Sequence, residues 1–484
     1  MRSAAAPKRV DLKHWMERAA SEMDGALAEL APDPVHDLRV ALRRCRSIAS
    51  SFRTIDFHPA WRRMDRAART VFRQLGELRD VQILAEWVKK LGAADDPVTA
   101  TLMGFCTRRE MELRAGVTAA LTRFNRTRWQ YWSERLSARF ERVPAEGLVF
   151  QCLALHRYAD AYELHRAALR NRTKVAYHQL RIGLKKFRYL VENFLPERHR
   201  QWGKSLKELQ DLLGEVHDLD VLWATALKQR AFASPEARQR WQERIEAERS
   251  RRLARYRELM MGRESLWRQW RRGLPQGAAI RRAEHQRLKT WAAFLDPDFE
   301  HSHRVAKLAV QLHKGLVRAN IFDGSAPAAL LESAALLHDV GRSSGGRSRH
   351  KASRRLISRM VLPAGWTQQD LQIVALTARY HRGALPSAKQ KRFAALPPKF
   401  QQCVRQMAAV VRLADAFDCR HDGAVRSLSV QRAADRLIVE ATGFSEEGAA
   451  AERVAAGRYL LERTCGLPVL VQGVQLRSRR TSTR

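Results

Sequence analysis

Apolar side chains recur every three or four residues through most of the first half of the chain, a spacing typical of amphipathic helices. The same periodicity continues up to Phe417, interrupted by turn signals rich in glycine and proline. It then gives way to the alternation of β-branched residues that predicts strands, in SLSVQ (427–431), RLIVEA (436–441) and LPVLVQGVQL (467–476), around one more helix near 446–465. We therefore predict a mainly α fold: a helical bundle, a second α-helical domain and a small C-terminal β appendage.

An internal repeat divides the first part of the chain. HDLRVALRRCR (36–46) recurs as HQLRIGLKKFR (178–188), and LGELRDVQIL (75–84) recurs as LGEVHDLDVL (213–222). Two elements that repeat in the same order at nearly the same spacing indicate a duplicated unit. We predict one domain at 9–272, with copies at about 9–140 and 150–272, a linker at 273–286, a second domain at 287–476 and a disordered basic tail at 477–484.

The chain is strongly basic, with 88 Lys and Arg against 51 Asp and Glu among its 484 residues and a formal net charge of +37. The charge is +20 in residues 1–300 and +17 in residues 301–484, so no single tail accounts for it. Such an excess indicates a polyanionic partner. The six cysteines show no CxxC spacing, which argues against zinc knuckles and disulfides. Without a signal-peptide pattern or an apolar run long enough to span a membrane, we expect a cytoplasmic protein.

The two copies of the first repeated motif each place a row of cations on one helix face. At 100° per residue, Arg39, Arg43 and Arg46 fall together with His36, while Leu38 and Leu42 fall on a separate face. The second copy repeats this geometry with His178, Arg181, Lys185 and Arg188. Like charges at this spacing repel each other. One interpretation is an ordinary solvated face. The other, which we favour, is two cationic walls that face a shared polyanion.

The same motif, present twice and each time followed by LGE-x-x-D, resembles the conserved-histidine α-helical domain, or CHAD domain. The resemblance covers about 260 residues and implies an antiparallel helical fold whose basic central surface binds inorganic polyphosphate. It places on that surface the residues His36, Arg39, Arg43, Arg44, Arg46, His178, Arg181, Lys185, Lys186 and Arg188. The surface could extend to Arg62, Arg63, Arg66, Arg69, Arg73, Lys204 and Lys207. Asp80 and Asp218, in the LGE-x-x-D elements, are expected to orient basic side chains.

The second domain carries scattered histidines and aspartates. HSHRVAKLAVQL (301–312) begins a helical run, AALLHDVGR (334–342) contains adjacent His338 and Asp339, and His350, His381 and Asp415 follow. Any one of them alone is more often a packed or exposed polar residue than a ligand. Imidazole and carboxylate ligands from separate helices suit Mn²⁺, Mg²⁺ or Fe²⁺ better than a structural zinc site with thiolates.

The order H…HD…D resembles the HD phosphohydrolase superfamily. More closely, the series HD-x-G, HKxS-x-x-LI, ARYHR and RLAD-x-x-D resembles the C-terminal HD-like domain of the exopolyphosphatase/guanosine pentaphosphate phosphatase family, over about 285–475. The resemblance implies metal ligands at His301, His338, Asp339, His350, His381 and Asp415, with His303 as the alternative to His301. It makes His338 and Asp339 the candidate catalytic pair. A phosphate clamp is expected from Arg342, Arg349, Lys351 and Arg382.

The actin-like ATPase domain that precedes this HD-like domain in the family has no counterpart here, so exopolyphosphatase activity does not transfer wholesale. We predict a polyphosphate-binding protein with a metal-dependent phosphohydrolase domain that acts on polyphosphate or a phosphorylated nucleotide. The alternative is a non-enzymatic polyphosphate scaffold, with a degenerate HD module, that targets the protein to granules. Charge alone favours a nucleic-acid binder, but no helix-turn-helix, ribonucleoprotein motif or zinc finger is visible. The sequence leaves the oligomeric state open, a dimer being one option.

Overall fold

The chain forms two units, the first ending at Ala283 and the second beginning at Glu284. The structure is a computed structural model that describes residues 11–475 except Ser325, Gly346 and Arg347. The basic tail predicted at 477–484 lies outside these residues. Helices dominate both units, and a single small sheet lies near the C-terminus of the described chain, so the predicted fold class is confirmed. None of the described helices combines the length and the apolar character that a membrane span requires.

The first unit contains two series of five helices. The first series is α1 (Leu12–Ala28), α2 (Pro32–Phe52), α3 (Pro59–Leu91), α4 (Pro97–Thr122) and α5 (Arg126–Phe140). The second is α6 (Leu148–Asn171), α7 (Lys174–Phe194), α8 (Pro196–Lys228), α9 (Pro235–Met260) and α10 (Leu266–Arg272). Helices α2 and α7 both have 21 residues, α3 and α8 both have 33, and α4 and α9 both have 26. The sequence repeat is therefore a repeat of structure.

Matching start signals set the equivalent helices in the two series. Helices α4 and α9 each begin with proline, whose fixed φ suits a first helical turn and whose missing N–H costs nothing there. The residue before each proline caps the helix: Asp96 accepts a hydrogen bond from the Val98 amide at 3.0 Å, and Ser234 accepts one from the Ala237 amide at 3.2 Å. Asp96 also accepts a 2.7 Å bond from the indole of Trp241 on α9, which ties the two series together.

Apolar side chains from both series share one core. Trp87 and Val88 of α3, Leu102 of α4, Leu222 of α8 and Trp241 of α9 belong to a single buried cluster. Full burial of each large side chain contributes about 1.5–3 kcal/mol. Because α3 and α8 both supply this cluster, the two series fold as one body.

The second unit is a helical array with a terminal sheet. Its elements are α11 (Ala278–Leu295), α12 (Phe299–Arg318), α13 (Ala328–Leu336), a 3₁₀ turn (Val340–Ser344), α14 (Arg349–Ile357), α15 (Gln368–Tyr380), α16 (Lys391–Ala394), α17 (Pro398–Phe417), β1 (Ser427–Arg432), β2 (Leu437–Thr442), α18 (Gly448–Cys465) and β3 (Val469–Val474). Strand β2 pairs antiparallel with β1 and parallel with β3. The parallel pair needs a crossover, which α18 provides.

The segment predicted as a linker, 273–286, is irregular only in its first part. Helix α11 begins at Ala278, directly after Gly277, whose φ of +49° favours glycine. The glycine and proline signals therefore mark the turn at 273–277, while the alanines that follow favour helix.

Two glycines allow a matched test of local packing. Gly341 follows His338 and Asp339 and precedes α14. A Cβ atom there would lie 2.5 Å from the Ser353 amide nitrogen and would also collide with the Arg349 carbonyl. Gly341→Ala should therefore destabilise the second unit by roughly 1–3 kcal/mol or more, since both obstacles are backbone atoms. At Gly25 of α1 no atom lies within 4 Å of the added Cβ, so Gly25→Ala should stabilise the first unit by about 0.5–1 kcal/mol. Urea unfolding measures both; an unchanged midpoint for Gly341→Ala would contradict the predicted clash.

Candidate functional site

The predicted cationic rows lie on neighbouring helices, since α2 packs against α7. Aromatic faces support several of the guanidinium groups. The Cζ atoms of Arg39 and Arg46 lie 5.2 and 4.9 Å from the ring centre of Phe72, and those of Arg43 and Arg188 lie 5.5 and 5.8 Å from that of Tyr189. Cation–π contacts stabilise positive charge without neutralising it. The rows are therefore positioned by rings as well as by acids.

Three of the predicted polyphosphate-binding residues have carboxylate partners. Arg44 binds Glu192 and donates a 2.9 Å hydrogen bond to Asn193. Arg46 donates to Asp65 at 3.0 Å, and Arg188 lies 3.8 Å from Glu192. Because Glu192 is on α7 and Asp65 on α3, the pairs of Arg44 and Arg46 join helices, whereas that of Arg188 lies within α7. They give Arg44 and Arg46 a structural role that the sequence analysis did not separate from binding.

The other cations have no carboxylate within ion-pair distance in the described part of the chain; they are Arg39, Arg43, Arg181, Lys185 and Lys186. Two of them also carry buried donors: the Nη1 atom of Arg39 and the Nε atom of Arg181 have no hydrogen-bond partner, and the same holds for Nε of Arg188. A buried donor left without an acceptor costs about 1–3 kcal/mol. An anion would supply both the missing acceptors and the missing charge.

Lys185 lies where the two rows meet. It borders a cavity of about 360 Å³ together with Arg43, Arg46 and Lys186, and a second cavity of about 510 Å³ together with Arg181 and Asp218. We call these two cavities and the side chains around them the basic groove. Burial, followed by the charges of Arg181 and Arg43, lowers the pKa of Lys185 to about 8. Its ammonium group therefore loses its proton near pH 8 unless an additional negative charge lies nearby.

The other residues predicted for this surface lie only partly in the groove lining. His36 is exposed, and His178 is half-buried with its ring 4.8 Å from that of His217. Of the arginines predicted on α3 as an extension, Arg69 lines the groove, and Lys207 pairs with Asp211 at 2.6 Å. Asp80 and Asp218 make no direct ion pair among the described residues, although their charges act on Arg39 and Arg181. Burial raises the pKa of Asp218 to about 6 despite these cations.

Several groove residues were not predicted. They are Arg53, Arg157, Arg79 and Lys90. Arg157 comes from α6, which no repeated motif connects to the basic rows. Arg79 stands in the LGELRD element itself, next to Asp80, so its position could have been noticed.

In the second unit, five of the predicted ligands lie at or just beyond helix ends. His301 stands in the first turn of α12, His381 caps the C-terminus of α15, and Asp415 stands in the last turn of α17. His338 and Asp339 follow α13 directly, at the turn into the 3₁₀ segment. These ends meet in one place, where His301, His338 and Asp339 can each offer a ligand atom within 4.8 Å of the others.

Each imidazole is fixed through its Nδ1 atom. Nδ1 of His338 lies 2.6 Å from the Ala335 carbonyl oxygen, and Nδ1 of His381 lies 2.8 Å from that of Ala378. Since a carbonyl oxygen only accepts, both Nδ1 atoms carry the proton and donate. Nδ1 of His301 is bound in the same way by the Asp418 carboxylate, at 2.7 Å. All three rings therefore present Nε2, the arrangement that second-shell hydrogen bonds give to metal-binding histidines.

The three Nε2 atoms face two carboxylates. Nε2 of His301 and of His338 lie 3.1 and 3.4 Å from Oδ1 of Asp415, and Nε2 of His381 lies 3.8 Å from Oδ1 of Asp339. Nε2 of His338 is completely buried and has no hydrogen-bond partner. A buried lone pair beside two carboxylates suits a divalent cation, so these five residues fit one.

The electrostatics of the cluster also favour a cation. Burial would raise the pKa of Asp415, but the hydrogen bond from His301 and the charges of His338 and His381 outweigh it and hold that pKa well below its usual range. Burial would lower the pKa of His301, yet Asp415 and Asp418 raise it to about 9. Burial and the charge of His338 lower the pKa of His381 to about 4, which keeps its lone pair free to coordinate. The carboxylates thus stabilise positive charge within the cluster.

A polar cavity of about 190 Å³ opens on this cluster. Arg342, Arg349 and Arg382 of the predicted clamp line it, with Arg342 3.4 Å from Asp339. Lys351 is not among its lining residues. His350 is also outside the lining; it lies against Gly383, and burial together with Arg379 and Lys351 lowers its pKa. His303 is exposed, whereas His301 is only 1 % exposed, which favours His301 over its alternative as the inward-facing residue.

The sequence analysis assigned no role to several residues around the cluster. Asp418 holds His301 and also accepts hydrogen bonds from Arg304 at 3.0 Å and from the Gly423 amide at 3.0 Å. His421 stacks on His301 with ring centres 3.8 Å apart. Asp418 could have been found, because the RLAD-x-x-D motif contains it one helical turn after Asp415. Arg412 and Arg453 also line the cavity.

Comparison with known proteins agrees with this division of the chain. Residues 12–227 match the CHAD domain family, and residues 280–447 match the Ppx/GppA phosphatase, domain III. Among solved structures, the crystal structure of the CHAD domain from the plant Ricinus communis matches with 21% identity and a TM-score of 0.37, over 56% of this chain and 95% of that chain. No curated protein matches. The chain thus joins a CHAD domain, in its first unit, to a Ppx/GppA phosphatase domain III in its second.

Proposed function

We propose that the first unit binds inorganic polyphosphate in the basic groove. The observation that carries this half of the proposal is the set of cations around Lys185 without carboxylate partners, together with the buried Nε donor of Arg181, which borders the groove and lacks an acceptor. Phosphate oxygens along a flexible chain would pair with these groups through charge-assisted hydrogen bonds. The CHAD match supports the same ligand. Cytoplasmic association with polyphosphate granules would follow from this binding.

Nucleic acid is the less suitable polyanion for this groove. The rings that line it, Phe72, Tyr189 and Trp87, already lie beside the cationic groups of arginine or lysine and are not free to stack on the bases of a single strand. The free cations also converge on Lys185 rather than extending along one helix. A thin, flexible chain can follow such a bend, whereas a stiff duplex cannot.

The second unit, in this proposal, is a metal-dependent phosphohydrolase. His301, His338, His381, Asp339 and Asp415 would hold the ion, Mn²⁺, Mg²⁺ or Fe²⁺. A bound divalent ion polarises phosphoryl oxygens and makes hydroxide available near neutral pH. His338 and Asp339, the predicted catalytic pair, would then act as ligands, and their fixed orientation keeps the ion in place.

The arginines of the cavity would bind and orient the phosphorylated substrate. Arg349 and Arg382 have no carboxylate within ion-pair distance in the described residues, so their guanidinium groups are available to phosphate oxygens. In the hydrolysis, the oxygen of water bonds to the terminal phosphorus and the P–O bond to the bridging oxygen breaks. That oxygen leaves on the remainder of the substrate, so water is the only co-reactant.

Charge reversal tests the groove. Arg43→Glu combined with Lys185→Glu should weaken the binding of long-chain polyphosphate by about 3 kcal/mol or more, roughly a hundredfold, because each change removes an attraction and adds a repulsion. Calorimetry at physiological salt measures the loss. Arg240→Glu with Arg257→Glu on α9 is the matched control: it changes the net charge equally at exposed positions outside the groove lining and should cost much less. Equal losses for the two pairs, or equal wild-type affinity for duplex DNA, would contradict the proposal.

The pH dependence of binding should report Lys185. The ammonium group attracts phosphate and the neutral amine does not, and the pKa of Lys185 without ligand is about 8. Polyphosphate affinity should therefore fall as the pH rises from 7 to 9, a window above the titration of Asp218 at about 6. Lys185→Arg, which stays charged, should bind with a flatter pH profile. If wild type and Lys185→Arg show the same profile, Lys185 does not contact the polymer.

Metal content separates the two activities. His338→Ala should remove bound Mn²⁺, measured by elemental analysis after dialysis, and abolish phosphate release, because it deletes a buried ligand whose Nε2 has no other partner. Polyphosphate binding by the first unit should persist. His301→Gln should behave like His338→Ala, and His303→Ala, at an exposed position on the same helix, should resemble the wild type. A wild-type protein that binds no divalent metal and releases no phosphate would instead support the scaffold alternative.

A further inference from the structure

One wall of the cavity comes from beyond the region that matches the phosphatase domain family. The match ends at residue 447, and helix α18 begins at Gly448. Arg453, Ala456 and Gly457 of this helix line the same cavity as His301, Asp339 and Asp415. The spacing of 453, 456 and 457 puts them on one helix face. Helix α18 is therefore part of the candidate active site as well as the crossover of the sheet.

Close packing at Gly457 fixes the position of this wall. A Cβ atom at Gly457 would lie 2.9 Å from Cβ of Ala416 and 3.4 Å from the Arg412 carbonyl oxygen. Only glycine therefore lets α18 lie flush on the part of α17 that carries Arg412 and Asp415. Val454 and Leu461, buried beside it, hold the helix there. Arg453 stands one turn before Gly457, at the rim of the cavity.

The cavity lining is divided by charge into two zones. Asp339, Asp415 and the histidines form the inner zone, where the cation and the reacting phosphate would lie. Arg349, Arg382 and Arg453 form an outer zone and have no carboxylate within ion-pair distance in the described part of the unit. Arg412 borders them and is anchored by the Tyr380 and Gly383 carbonyl oxygens at 3.2 and 2.8 Å. A single orthophosphate in the inner zone does not need so many further cations.

The lining is poorly suited to a nucleobase. Apart from histidine, no aromatic ring and no Asn, Gln, Ser or Thr side chain borders the cavity among the described residues. Bases are held mainly by stacking on exposed rings and by hydrogen bonds to their edges, whereas His301 and His381 are buried here and His421 already stacks on His301. Its volume of about 190 Å³ is also below the roughly 300–1,000 Å³ of cavities that enclose drug-sized ligands.

From these observations we infer that Arg453 of α18 binds the second phosphate group of a condensed phosphate whose terminal phosphate lies at the His–Asp cluster. The inference rests on the proposed phosphohydrolase function for the nature of the ligand. It narrows the substrate class to the ends of inorganic oligophosphates and polyphosphates and excludes nucleotides read through their base. It also makes α18, which lies outside the matched family region, a determinant of specificity.

The test compares Arg453→Gln with Arg463→Gln in the full-length chain. Both residues are exposed cations on α18, but Arg463 lies over the Tyr459 ring, away from the cavity lining. Every protein in the test also carries Arg43→Glu and Lys185→Glu, to suppress binding in the basic groove. Calorimetry with tripolyphosphate and with orthophosphate, in the presence of a chelator, measures binding independently of catalysis.

Arg453→Gln should weaken tripolyphosphate binding about tenfold or more, as expected for a lost charge-assisted contact, and should affect orthophosphate much less. Arg463→Gln should change neither by more than about threefold. Equal effects of the two substitutions, or no tripolyphosphate binding to the parent protein, would overturn the inference. Arg453→Lys should recover part of the affinity, because it keeps the charge but loses the bidentate fork.

Kinetics with Mn²⁺ then separate this inference from the proposed function. If the parent protein releases phosphate from tripolyphosphate and Arg453→Gln reduces kcat/KM about tenfold, both the proposed function and the inference about Arg453 are supported. If the parent protein releases no phosphate while Arg453→Gln still weakens tripolyphosphate binding, the phosphohydrolase function fails and the binding role of Arg453 stands. If the parent protein hydrolyses tripolyphosphate and Arg453→Gln leaves kcat/KM unchanged, the function stands and the inference fails.

Discussion

Uncompensated positive charge between α2 and α7 is the constraint on which the first unit depends. The apolar faces of these helices bury Leu38, Leu42, Leu180 and Leu184. Burial of the Lys185 side chain, followed by the charges of Arg181 and Arg43, lowers the pKa of Lys185, so these neighbours disfavour its ammonium group. A folded protein tolerates such repulsion only because the burial of its apolar core contributes more free energy than the repulsion costs. The free energy of unfolding is therefore lower without a ligand, and binding of an anion in the groove raises it.

The second unit has the opposite imbalance. Its carboxylates, Asp415 above all, stabilise positive charge on imidazoles that are buried. The fixed Nδ1 atoms of His338 and His381 leave these rings no freedom to turn away. The charges of the groove therefore suit an anion, and those of the His–Asp cluster suit a cation. In each case the surrounding core fixes the charged groups in place and so determines the chemistry of a matching ligand.

Much of the fold could be predicted from the sequence because its determinants are local. Helical periodicity, the repeated motif and the β-branched alternation are properties of short segments, and they placed the helices and strands correctly. The site was harder, since its partners come from distant parts of the chain. Arg44 and Glu192 are 148 residues apart, so no local pattern indicates that they form a pair. His350 fits the expected motif order, yet the start of α14 at Arg349 places it beside Gly383 and outside the cavity lining. Arg453 was missed because no motif marks α18, which was predicted only as one more helix among the strands.

The two sites suit different parts of one kind of polymer. The basic groove is open, and Lys185 borders both of its cavities, so a chain can enter and leave it without an end being present. Its contacts would multiply with chain length, as they do wherever many phosphates replace condensed counterions. The cavity at the His–Asp cluster is smaller, and buried histidines lie beside it. Under the proposed function, this smaller cavity would take the terminal phosphate, while the groove would hold phosphates along the chain. Binding along the polymer and hydrolysis at its end would then take place at separate sites, independently of how the units are arranged.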